Sequence, residues 1–213
     1  MTILLSIETA TDACSVALQV GTHPIVERFE ICPMKHTHRV LPMVEALLRE
    51  ENLALADLEA IAFGAGPGSF TGLRIAASVA QALGFGLQKP VVPISTLRAI
   101  AQAAFQLQGH RRVVAVLDAR MAEVYWGAFA VNDEGIMEAV QPEQVTTLAA
   151  VTPPAPIQDW TIVTDERPHA RWIAMLGVYE HEKGRSVPAE KAQPQYVRHS
   201  VVQGKFKKDG HTP

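Results

Sequence analysis

Charge is scarce in this chain of 213 residues: Asp, Glu, Lys and Arg make up 19%, against 48% apolar residues. Globular domains usually carry about 25% charged residues. Disorder is therefore excluded as the main state. A chain of this length buries about 70% of its unfolded surface and needs no disulfide or metal to hold it. Cysteine is nearly absent. Cys14 and Cys32 form no C-x-x-C pair, and two thiols make no disulfide framework, so they read as free thiols in a reducing cytosol. Basic excess is missing too. The net charge is -3, which excludes a dedicated nucleic-acid grip and leaves open a place beside a partner that holds one. The start of the chain has no basic segment and carries Glu8 and Asp12 where a signal peptide has its apolar core. The longest uncharged apolar run, Ile75–Gln88, falls short of the ~20 residues of a membrane span.

Catalytic signatures are also missing. Gly72 is followed by Leu73 and Arg74 rather than Lys-Ser/Thr, so the glycine loop is not a Walker A motif, and it lacks G-x-G-x-x-G spacing. No G-x-S-x-G elbow is present, and nothing identifies a base for Ser69. His36 and His38 lie two apart, a spacing that puts them on different helix faces. No pair among the eight histidines has the spacing of a single-helix metal site. The expectation is no catalytic residue, no metal and no resident cofactor, with a nucleotide at a partner interface left open.

What remains is an α/β pattern. Apolar or alternating runs predict strands at Thr2–Ile7, Cys14–Val20, His23–Ile31, Ala60–Gly64, Val91–Ile94, Arg111–Leu117, Glu123–Val131 and Thr161–Thr164, with a short one near Tyr196. Helical spacing predicts helices at His36–Glu51, Phe70–Gly86, from Ser95 to about Gln106, and near His169–Tyr179. Pro42 is expected to kink the first of these or to mark a later start. Ser95 is its helix's expected N-cap. Shifted by about 110 residues, Leu5-Ser-Ile-Glu8 falls on Ala115-Val-Leu-Asp118, and Cys14–Val20 falls on Val124–Ala130. Each copy reads as strand, acid, turn of six or seven residues, then strand. This ordering predicts a duplicated α/β unit with two lobes: residues 1–108, residues 109–203, and a disordered tail over 204–213.

Three features carry candidate chemistry. Gly66, Gly68 and Ser69 stand in a glycine loop between a strand and a helix, which reads either as an anion cradle or as a tight turn with close packing. Glu8 and Asp118, with Thr9 and Asp12 in the turn after the first, either face a cleft and hold a metal–nucleotide complex or cap their own turns. Gly72, Ala76, Ala80 and Gly84 form a small-residue stripe on a helix whose only clearly polar positions are Arg74, Ser78 and Gln81. Such a helix is either central in its domain or covered by another chain, and the expectation is an interface. Arg74 has no mate nearby in sequence, which leaves it for a partner or an anion.

The chain resembles the bacterial TsaB (YeaZ) family of tRNA threonylcarbamoyladenosine biosynthesis proteins. The resemblance rests on I-x-T-A-T-D-A-C-S-V-A-L at Ile7–Leu18, H-T-x-R-x-L-P-M-V at His36–Val44 and G-P-G-S-F-T-G-L-R-I at Gly66–Ile75. It continues with P-x-S-T-L at Pro93–Leu97, L-D-A-R-M-x-E-V-Y-W at Leu117–Trp126 and P-x-Y-V-R at Pro194–Arg198. It implies a two-lobed actin-like ATPase (ASKHA) fold with a mixed sheet and helices in each lobe. It implies a cytoplasmic, non-catalytic subunit that binds the catalytic paralogue TsaD, meets the ATPase TsaE through the complex, forms a homodimer in isolation and touches tRNA only indirectly. The helices that make the homodimer and TsaD contacts correspond here to His36–Glu51 and Phe70–Gly86. They place His36, Val40, Leu41, Val44, Leu73 and Arg74 at the interface beside the small-residue stripe. The family's first strand commonly ends in Asp, where this chain has Glu8, and the stretch from Val151 to His181 looks short for the family. A nucleotide-dependent ATPase or small-molecule kinase of the same fold is the alternative, and a protease finds no support in the residues.

Overall fold

The computed structural model describes residues 2–164 and 166–197. The first sheet has the order β3-β2-β1-β4-β5, built from β1 (Ile3–Glu8), β2 (Ala13–Val20), β3 (Val26–Ile31), β4 (Ala60–Gly66) and β5 (Val91–Ser95). β1, β2 and β3 run antiparallel, while β4 and β5 join parallel to β1. β4 is buried along its whole length and β1 along nearly all of it, as strands covered on both faces should be. Alternation divides the strands between two cores. Leu5, Ile7, Val16, Ile61 and Phe63 meet α1 (His36–Glu50) and α2 (Phe70–Leu87). On the opposite face, Leu4, Ala17, Ala62 and Val92 meet Ile173, Ala174 and Leu176 of α4 (Ala170–Glu182). Each fully buried Leu, Ile, Val or Phe among them contributes roughly 1.5–3 kcal/mol. Gly177 brings α4 onto the sheet, because a Cβ there would lie 2.6 Å from Ala62 Cβ.

The second sheet repeats the first. Its path is β10-β6-β7-β8, with β9 also on β7. The strands are β6 (Arg112–Arg120), β7 (Glu123–Val131), β8 (Met137–Ala139), β9 (Gln144–Thr147) and β10 (Thr161–Val163). Counted within each half, both sheets place the third strand beside the second, the second beside the first and the first beside the fourth. In the second half β8 and β9 share the third position. Each half opens on an antiparallel hairpin, and its first and fourth strands are parallel. This is the expected two-lobed, actin-like ATPase arrangement. α3 (Thr96–Gln108) leaves β5 and covers one face of the second sheet through Leu97, Ile100, Ala101 and Ala104. No α-helix separates β9 from β10, and the other face is closed by Val151 and Trp160 packing on Val114, Val116, Trp126 and Ala128.

Several expectations are corrected. α4 lies on the first sheet, and Ala189 and Ala192 join the core around α2, so the lobe division at residues 109–203 fails after β10. The apolar face of α4 fits the open side of β1 and β4, which nothing else covers. Asp118 does not end its strand. β6 runs on to Arg120, and the turn is only Met121 and Ala122, with Arg120, Met121 and Ala122 all at positive φ. β3 starts at Val26 because Gly21–Pro24 is used for the turn, where Gln19 Nε2 donates to Gly21 O and His23 O. Pro42 neither delays nor ends α1, and both it and His38, whose carbonyl loses its donor, are exposed. No strand forms at Tyr196. Pro194 lacks a donor, and a single bond from Gln195 N to Ala65 O holds the segment. β8 and β9 are too short to show alternation. Arg198 and the tail over 204–213 lie outside the described residues.

Candidate functional site

The glycine loop follows β4 and opens α2. Ser69 is the N-cap, its Oγ accepting from Gly72 N at 3.4 Å. The β1–β2 turn lies directly on this loop. Ser69 N donates to Ala10 O at 2.7 Å, and Thr9 Oγ1 donates to Gly72 O at 2.7 Å. A Cβ on Gly68 would lie 2.6 Å from Ala10 Cβ, and one on Gly72 would lie 1.9 Å from Thr9 O. The glycines thus admit the chain's own turn, and Thr9 and Ala10 fill the space beside Gly68 and Gly72 that an anion cradle would leave open. Gly66, at φ +119, turns toward the C-terminal segment, its missing Cβ 2.7 Å from Gln195 O.

The two acids at the hairpin ends do the same local work. Glu8 Oε1 accepts from Ala10 N at 2.6 Å, and Asp118 Oδ1 accepts from Arg120 N at 2.8 Å, each two residues on. Beyond that they differ. Glu8 is 1% exposed, and burial pushes its carboxyl up to about 7, opposed by hydrogen bonds from Ala10, Thr96 and Thr9. Asp118 is exposed and pairs with Arg120 at 3.1 Å. One acid is buried and the other is in solvent, so the structure does not join them into a clamp. Asp12 is held in a bidentate pair by Arg167, at 2.8 and 2.9 Å, and those hydrogen bonds keep its carboxyl below the usual range. Among the described residues, no group of three His, Cys, Asp or Glu is arranged to hold a metal.

A second acid, half-buried, escapes a sequence reading. Glu143, ahead of β9, accepts a hydrogen bond from Ser95 Oγ, and burial pushes its carboxyl up to about 7. Thr96 Oγ1 donates to Glu8 Oε2 at 3.3 Å. The dipeptide that opens α3 therefore holds one carboxyl from each half of the molecule. Ser95 is the expected cap, its Oγ accepting from Arg98 N at 3.0 Å.

The face formed by α1 and α2 divides the interface expectations in two. Gly72, Ala76, Ala80 and Gly84 are buried within this chain, with Ala76 and Ala80 at 0% exposure. The stripe lets α2 sit close to its own sheet and to the β1–β2 turn, which corrects its assignment to an interface. His36, Val40, Val44 and Leu73 are buried as well, and His36 Nε2 lies 3.1 Å from Ala13 O. Leu41 and Arg74 point outward, and so do Phe70 and Phe85. Leu41, Phe70 and Arg74 line a groove of about 360 Å³ between the two helices, together with Thr37, Thr71, Ile75 and Ser78. Leu41 is 47% exposed and Phe70 63%. α2 is long and apolar enough to cross a membrane by length and composition, yet its inner side is fixed to this sheet.

The family model for TsaD, tRNA N6-adenosine threonylcarbamoyltransferase, matches residues 4–171. The tRNA threonylcarbamoyladenosine biosynthesis protein TsaB of Escherichia coli is 36% identical, over 93% of this chain and 96% of its own length. The chain belongs to the TsaB (YeaZ) family. TsaB of Haemophilus influenzae is 50% identical over 58% of this chain and 52% of its own length. The solved YeaZ structure from Pseudomonas aeruginosa superposes with a TM-score of 0.88 at 39% identity, covering 92% of this chain and all of that one. This chain thus matches the TsaD family model while its curated relatives are named TsaB, and it shares its fold with YeaZ. Sequence reasoning missed Phe70, Tyr196 and Glu143. An aromatic at the first, outward position of a helix was the available signal for Phe70. Tyr196 and Glu143 reach their places through loops that carry no periodicity.

Proposed function

We propose that this chain is a non-catalytic subunit of the threonylcarbamoyladenosine-forming system and binds a TsaD paralogue through the α1–α2 face. The observation that carries this reading is the apolar groove between α1 and α2, where Leu41 and Phe70 point outward from helices whose inner sides are buried in their own lobe. Exposed apolar side chains gathered in one groove mark a partner surface. The filled glycine loop supports a role without a nucleotide of its own, since Thr9 and Ala10 stand beside Gly68 and Gly72. The net charge of -3 supports leaving tRNA to the partner. In this reading TsaE joins through the assembly, in the cytoplasm, and the same face serves a homodimer when TsaD is absent.

Reconstitution tests it. Modification of tRNA by TsaD and TsaE is measured without this chain, with it, and with a Leu41→Asp variant. Modification should need the chain and be lost with the variant. Equal modification in all three sinks the proposal. Calorimetry of the isolated chain with ATP–Mg tests the autonomous ATPase or kinase alternative, and tight binding with turnover would favour it.

A further inference from the structure

We infer that Arg74 receives a carboxylate from a helix of the TsaD paralogue docked in the α1–α2 groove, its guanidinium held for that contact by Phe70 and Tyr196. The inference rests on the docking reading above and adds the chemistry of the contact.

Among the described residues, Arg74 is the only charged one lining the groove. Its guanidinium carbon lies 3.2 Å from the Phe70 ring centroid and 5.4 Å from that of Tyr196. The two rings are 6.0 Å apart and tilted by 31°. Arg28, Arg39, Arg98, Arg112 and Arg167 each pair with a carboxylate, whereas no described carboxylate pairs with Arg74. Its hydrogen bond to Phe70 O is long, at 3.5 Å. A guanidinium already ordered on aromatic faces loses little freedom on binding, and its planar fork matches a carboxylate. Tyr196 is set in place from outside the helix pair, because Gln195 N donates to Ala65 O at 2.7 Å and Gln195 O fits against Gly66. The segment through Tyr196 is therefore part of the site. The rest of the lining is apolar or hydroxylated, which fits a protein helix with an apolar stripe and one acid better than a nucleic-acid phosphate.

The test titrates the full chain into TsaD by calorimetry, without tRNA, at about 50 mM and about 500 mM salt, where screening differs severalfold. Arg74→Gln should weaken binding at least about tenfold, as loss of a charged central contact does. Arg74→Lys keeps the charge without the fork and should also bind more weakly. Wild-type affinity should fall with salt, and that of Arg74→Gln should not. Arg74 is exposed, so circular dichroism should show both variants folded. If Arg74→Gln binds like wild type while Leu41→Asp does not, the inference fails and the docking reading stands. If Leu41→Asp binds like wild type, both fail. Loss of affinity without loss of salt dependence, or a defect confined to self-association or tRNA retention, also overturns the inference.

Discussion

The carboxyl of Glu8 occupies the place a side chain at Gly64 would take: a Cβ there would lie 2.1 Å from Glu8 Oε2. β4 can run beside β1 and leave room for a buried acid only because this position has no side chain. Ala10 N and Thr96 Oγ1 satisfy the carboxyl, and no cation stands among the groups that set its ionisation.

Gly64→Ala should therefore destabilise the chain by about 1–3 kcal/mol, as overpacking of a core does. Glu8→Asp withdraws the carboxyl by one methylene, so the double variant should recover part of the loss. Urea denaturation of the two single variants and the double variant closes the cycle. Additive losses would mean that the two residues do not meet.

Stability should depend on pH through Glu8 and Glu143. Burial raises both from the ordinary 4.5 to about 7. A raised acid favours the fold while it is neutral, so its contribution is complete below about pH 4.5 and is lost as pH rises through about 7. For Glu8 the difference is on the order of 3 kcal/mol. Asp12 runs the opposite way, its lowered carboxyl losing its contribution as the medium becomes acidic. Melting temperature should peak on the acidic side, near the ordinary carboxyl range, fall as pH rises from about 4.5 to about 7, and level off above that. Glu8→Gln should flatten that fall. An unchanged profile in Glu8→Gln would show that this carboxyl does not titrate there.

Much of this architecture is legible in the sequence because it is local. The β1–β2 and β6–β7 hairpins, the capping Ser95 and the helix starts follow from alternation, spacing and short polar side chains. The duplication is legible because matching elements recur in matching order. Long-range placement is not. Nothing in the apolar stripe of α4 says that it returns to the first sheet, since any open apolar face of the right width would serve. The small residues of α2 mark close approach without saying whether to this chain or another. Glycine spacing likewise marks a near neighbour at Gly68 and Gly72 without saying that it is Thr9 or Ala10.

One contact that ties α4 to the second lobe is ionic. Glu180 accepts from Arg98 Nη1 at 2.6 Å and from Arg185, and Arg98 Nε donates to Met137 O at 2.6 Å. The Glu180 side chain is 11% exposed and that of Arg98 15%. Removing one member of a buried pair leaves the other uncompensated, at a cost of about 3–5 kcal/mol. Glu180→Ala should lose about that much in urea denaturation. A loss under about 1 kcal/mol, the scale of a surface pair, would mean that solvent screens the contact.

The two sides of α2 can be separated by one substitution on each. Ala80 is fully buried among the residues that join α1, α2 and the first sheet, and Ser78 faces the groove. Ala80→Glu puts an unpaired carboxylate into that core, at a cost of several kcal/mol. It should lower the melting temperature sharply or abolish folding. Ser78→Glu adds the same charge in water and should shift stability by no more than about 0.5 kcal/mol. It should still weaken TsaD binding, because the charge enters the groove. The pair is read by thermal denaturation and by pull-down with TsaD. A folded, stable Ala80→Glu that has lost only its partner would return the small-residue stripe to the interface. Loss of fold in Ala80→Glu, with loss of partner alone in Ser78→Glu, would leave the stripe with the core and the outer side of the helix with the complex.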